Sequence, residues 1–84
     1  MPTYQTDDKI IPEGVNYSTD FSIVVDPGDG DVQVQIEDSA GDWFTPDGEE
    51  YTLTLADVYV IDRRNRPSLK IVASGTAKFY TIGV

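Results

Sequence analysis

The chain has 84 residues, no cysteine and no histidine, and its 15 acidic against 6 basic side chains give a net charge of −9. A chain of this length makes one domain with a thin core, burying roughly 60–65% of its unfolded surface, and here no disulfide supplements it. The missing residue types exclude a Ser-His-Asp triad, a Cys-His pair and the usual zinc ligands, so neither an enzyme nor a cofactor is expected.

The opening "MPTYQTDDKIIPEG" lacks a charged leader followed by an apolar run, so no signal peptide is expected. No stretch approaches the 18 or so apolar residues of a membrane-spanning helix, so no membrane is expected as a partner. The segment is polar and carries Pro2 and Pro12. It reads as an extended arm over residues 1–12, able to lie across a neighbour or simply to fray, ahead of one domain spanning 13–84. Asn16-Tyr17-Ser18 matches the glycosylation acceptor pattern, which means little in a chain with no export signal.

From there, apolar residues alternate with polar ones at a period of two, as in half-buried strands. "DFSIVV" turns Phe21, Ile23 and Val25 inward and Ser22 outward. "DPGDGD" (26–31) is a turn in which Pro27-Gly28 suits type II geometry. "DVQVQIE" then sets Val32, Val34 and Ile36 against Gln33 and Gln35. "DSAGD" (38–42) reads as a hairpin connection and "TPDGEE" (45–50) as a further turn. "EYTLTL" alternates Tyr51, Leu53 and Leu55 with threonines, and "DVYVID" carries Val58 and Val60 inward with Tyr59 outward. After "RRNRPS" (63–68), "SLKIVAS" offers Leu69, Ile71 and Ala73 to the core, with Val72 outward. Ser74-Gly75 links to "TAKFYTIGV", where Ala77, Phe79 and Thr81 oppose Lys78, Tyr80 and Ile82.

These runs are rich in β-branched and aromatic residues, and no window holds a helical period. The expected fold is all-β: a small antiparallel β-sandwich or barrel of about seven short strands. No helix longer than about one turn is expected. Val32, Val34, Ile36, Leu53, Leu55, Leu69 and Ile71 are the expected core.

Four features are candidates for function. Asp26, Asp29 and Asp31 fall within six residues, and clustered oxygens of this kind hold calcium. However, the spacing is not that of an EF-hand, and a turn favours Asp and Gly for backbone reasons alone, so no metal is assigned. Trp43 and Phe44 are adjacent, which sends the rings to opposite faces of an extended segment. One enters the core or caps its end, and the other is free to stack on a sugar or anchor a protein contact. Tyr59 and Tyr80, read as outward, would leave an aromatic surface on a tiny domain, which calls for a partner.

The fourth feature is charge. Positions 1–62 hold all 15 acids and a single base, Lys9, a net of −14, whereas positions 63–84 hold five bases and no acid. Three of those bases, Arg63, Arg64 and Arg66, crowd one turn. They are placed either to pair with carboxylates of a partner subunit or to sit solvated beside the chain's own acids. Nucleic acid is disfavoured as a partner, since a body at −9 repels phosphates and no basic-aromatic interleaving follows.

"DVQVQIEDSAGDWFTPDGEEYT" followed by "PSLKIVASGTAKFYTIGV" resembles small structural proteins of tailed bacteriophage virions. The matching residues are Val32 to Glu37, Gly41 to Pro46 and Leu69 to Tyr80, and the likeness covers the chain after about residue 20. It implies a β-sandwich virion component: a capsid decoration protein, or a neck or fibre subunit. The implied partners are capsid or other virion proteins, with the chain homo-oligomeric or lattice-bound, made in the host cytoplasm and residing in the virion. The alternative expectation is a carbohydrate-binding module that uses Trp43 and the tyrosines as stacking platforms.

Overall fold

The computed structural model describes residues 3–12, 20–62 and 66–83. The alternating runs become strands whose inward positions are almost fully buried. They are β1 (Lys9–Ile11), β2 (Phe21–Asp26), β3 (Val32–Glu37), β4 (Trp43–Phe44), β5 (Thr52–Leu53), β6 (Asp57–Ile61), β7 (Leu69–Ala73) and β8 (Lys78–Ile82). Among the described residues the helical content is one 3₁₀ turn, Glu49–Tyr51. All pairings are antiparallel.

The strands form two sheets. One runs β1-β7-β3-β4, with β5 on the same side of β3 as β4 but at the other end of the strand; the second runs β6-β2-β8. Phe21, Ile23, Val25, Ile61 and Phe79 from the three-stranded sheet meet Ile11, Val32, Val34, Leu53, Leu69 and Ile71 from the five-stranded one. Ala77 completes this core, and no described polar or charged side chain is buried. The chain is a small antiparallel β-sandwich, as the alternation predicts, with eight short strands among the described residues.

Four expectations are corrected. The segment read as a free arm is tied down at two places: Lys9, Ile10 and Ile11 pair with Ile71, Lys70 and Leu69, and Gln5 bridges to Phe79. Ile11 is core at 2% exposure, because it is the one large apolar residue there that faces the opposite sheet. Leu55, expected inside, is 67% exposed; its strand ends at Leu53, and the chain bends at 55–56 to cross to the other sheet. Ile36 is only half-buried, at the end of β3 beside Phe44. In β6 the faces are exchanged: Ile61 is buried and Tyr59 packs on the core, whereas Val58 and Val60 point to solvent.

The acidic turn and the Ser74-Gly75 link both cross between the sheets, and they interlock. The Gly30 amide donates to the Pro27 carbonyl at 2.9 Å, so the turn centres on Gly28-Asp29, one residue later than expected, with Gly28 at φ 55°. Asp29 Oδ1 accepts from the Thr76 amide at 2.8 Å and from its hydroxyl at 2.9 Å. Asp31 Oδ1 accepts from the Ser74 hydroxyl at 2.8 Å. These bonds hold two loops together across more than forty residues of sequence.

Bonding to the Thr76 amide, reinforced by the Thr76 hydroxyl, holds the Asp29 carboxyl below its ordinary value of 3.8. A depressed carboxylate stabilises the fold at pH above its unfolded value, and that contribution fades as pH falls through the folded one. Asp29→Asn should therefore melt below the parent at neutral pH, with the gap closing under about pH 4 as the parent's carboxylate protonates. Melting curves for both proteins from about pH 7 to about pH 2 check this; a constant gap would show that charge is not the cause.

Candidate functional site

The outer face of the three-stranded sheet is built by the even-numbered residues of its strands. Val24 lies between Val58 and Tyr80, and Ser22 between Val60 and Ile82. Val58 is 53% exposed, Val60 66% and Ile82 51%. Tyr4 extends the patch, its ring standing edge-on to Tyr80 at 5.1 Å between centroids. At the β2–β8 end, Asp26 faces Lys78 with 3.7 Å between charged atoms, and the Lys78 ammonium also lies 4.9 Å from the Tyr4 ring centroid. Exposed on both sides, that ion pair contributes about 1 kcal/mol or less. The result is a contiguous apolar and aromatic surface with one neutralised charge pair, on a protein of net charge −9.

The expected site residues divide between this surface and other places. Tyr80 is on it, as expected. Tyr59 is not: it turns inward and its hydroxyl donates to the Leu55 carbonyl at 3.2 Å. Trp43 sits on the outer side of the five-stranded sheet beneath Lys70, whose ammonium is 4.7 Å from the ring centroid. Its partner in the motif, Phe44, is 47% exposed at the sheet edge. Neither ring enters the core. Arg66 is turned back on its own chain, donating to the Tyr51 hydroxyl at 2.8 Å. Arg63 and Arg64 lie outside the described residues.

The calcium candidates do not converge, since each is held by its own neighbour: Asp26 by Lys78, Asp29 by Thr76 and Asp31 by Ser74. Among the described residues no three metal-capable side chains group together.

A shallow groove, half open to solvent, lies where the chain crosses from β5 to β6. It has a volume of about 500 Å³ and is lined by Asp47, Gly48, Glu49, Thr52, Thr54, Leu55 and Tyr59. Its lining combines carboxylates and hydroxyls with an aromatic and an aliphatic side chain.

Sequence pattern misses most of the outer face. Val24 falls at an outward position of β2, and Tyr4 follows from nothing in the pattern. The available signal was "VYVI" itself: four consecutive β-branched or aromatic residues make a strand apolar on both sides, whichever side is inside.

The chain matches no known protein family, no curated protein and no solved structure.

Proposed function

We propose that the protein is a non-enzymatic structural subunit of a tailed-phage particle, a capsid decoration protein or a similar docking subunit, that attaches through the outer face of its three-stranded sheet. The observation that carries this reading is the exposed apolar face formed by Val24, Val58, Val60, Tyr80 and Ile82. Small soluble domains rarely leave such a surface without a partner. The thin core supports the reading as well, because an interface that binds only the folded form adds to its stability. The choice of a phage particle rests on the likeness carried by Val32 to Glu37, Gly41 to Pro46 and Leu69 to Tyr80.

The test is Ile82→Glu, at a position 51% exposed. A surface substitution there should change stability by only about 0.5 kcal/mol. Attachment to the particle should weaken about tenfold or more if the face is the docking surface. Unchanged attachment would place docking elsewhere, and a triple Arg63, Arg64 and Arg66→Gln variant at low and physiological salt then examines the basic turn.

A second reading, a carbohydrate-binding module, is favoured by the groove rather than by Trp43. Lys70 covers Trp43, and Tyr59 forms the groove wall. In that reading Asp47 and Glu49 accept sugar hydroxyls. Retention on a glycan array by the parent, lost in Glu49→Gln, is the expected outcome; no retention by the parent on any glycan removes the reading.

A further inference from the structure

We infer that two copies of the chain pair antiparallel along the free edge of β6, joining their three-stranded sheets into one of six strands. This deepens the docking reading, since it doubles the proposed face, but it rests on different features.

The three-stranded sheet has two edges. The β8 edge is closed at its middle by Gln5, whose amide and carbonyl both bond to Phe79, at 2.7 and 3.0 Å. The β6 edge has no strand beside it among the described residues, and over five residues it is the longest one left open. The amides and carbonyls of Val58 and Val60 face this open edge, the Val58 amide held only by the exposed Asp57 carboxylate beside it at 2.7 Å. Such a row is recognised by another strand. Natural edges discourage such pairing with charged side chains, lysine above all, with proline or with a bulge, and the one charge on β6 is Asp57 at its end. Val58, Tyr59, Val60 and Ile61 have neither lysine nor proline, and they pair with β2 in unbroken register.

The occupant that fits is β6 itself. An antiparallel pair centred on Tyr59 is the one register in which all five residues find partners. It sets Val58 against the second copy's Val60, twice, and Tyr59 against Tyr59. Residues that face each other then share a face of the sheet, so the two apolar surfaces run on without a break. The charge pattern agrees: Asp57, the one ionisable carboxylate in the strand, meets Ile61 rather than its own counterpart. Like charges directly opposite would oppose pairing.

The contact is small, of the size found in weak and transient complexes, and two bodies at −9 each repel. Association should therefore strengthen as salt screens that repulsion. This is the reverse of what a contact made by arginine–carboxylate pairs would show.

The experiment is light scattering on the full chain from about 10 μM to about 1 mM, at about 0.05 M and about 0.5 M sodium chloride. The mass should rise from monomer to dimer and stop there, at several-fold lower concentration in the higher salt. Val58→Lys and Val60→Asp should each raise the midpoint about tenfold in low salt. The double variant should return it to within a few-fold of the parent, because each introduced ammonium then faces an introduced carboxylate across the two-fold axis. Both positions are more than half exposed, and melting curves confirm that the variants fold. A parent that is monomeric throughout, growth beyond the dimer, or a double variant no better than the singles each overturns the pairing. Particle attachment is read separately: a monomer that still attaches loses the pairing and keeps the docking face, and a dimer that fails to attach does the reverse.

Discussion

Val34→Asp is expected to lower the melting temperature by at least about 15 °C, or to leave the chain unfolded at 25 °C. Val34 is fully buried in β3, opposite Ile71 of β7. Its side chain points into a core in which no described polar or charged group is buried, so a carboxylate there finds no donor. Burying such a group costs several kcal/mol, even when it is protonated to avoid the charge. A domain of this size has only about 4–13 kcal/mol to lose. Gln35→Asp is the control, one residue along on the other face and opposite Lys70. It should lie within about 0.5 kcal/mol of the parent. Thermal or urea unfolding of the two variants checks both the inward assignment of β3 and the period of two behind it; a Val34→Asp protein that melts with the parent would contradict them.

The second large effect is expected at a residue without a side chain. Gly30 lies against the Ser74-Gly75 link so closely that a Cβ would overlap the Ser74 carbonyl oxygen and crowd its carbon. Both are backbone atoms, so Gly30→Ala must push the two turns apart. That would strain the bonds from Thr76 and Ser74 to Asp29 and Asp31. Overpacking of this kind costs about 1–3 kcal/mol, a fall of very roughly 5–20 °C in melting temperature for a domain this small. Gly41 is the contrasting case. It has φ 85°, yet a Cβ there meets nothing within 4 Å. Gly41→Asn should be mild, since asparagine tolerates a left-handed backbone. Gly30 has no positive φ, so a loss there no larger than at Gly41 would mean that the close approach of the loops is not what makes the position costly.

The strands were legible where one face is apolar and the other polar. In "FSIVVD", "VQVQIE" and "LKIVA" the inward set could be read directly, and Phe21, Ile23, Val25, Val32, Val34, Leu69 and Ile71 are all core. In "DVYVID" both parities are apolar, so alternation cannot choose between them. The choice falls to pairing: β6 lies against β2 with Ile61 opposite Phe21, and Phe21 is already committed to the core. Val58 and Val60 are thereby turned outward, and the candidate docking face exists because of that tie. β1 escaped notice for a different reason: three residues are too few to show a period, and Ile11 is held by β7, almost sixty residues away.

The fold class, the position of most turns, the absence of histidine and cysteine chemistry and the segregation of charge could all be read from the chain before it is folded. All of these depend on residue type or on neighbours a few positions apart. Tertiary structure decided which strands meet. No two strands of the β6-β2-β8 sheet are consecutive in the chain, so each pairing there is long-range and leaves no local trace. It also set the work of the acidic turn, to whose clustered aspartates the sequence assigned no metal. Thr76 and Ser74, more than forty residues on, supply the donors that make them ties between two loops. The partner of Arg66 was decided in the same way, since the Tyr51 hydroxyl draws it back to its own chain. Spacing along the sequence records what a side chain is able to bind, whereas its actual partner depends on which distant segment the packed core brings within about 3 Å.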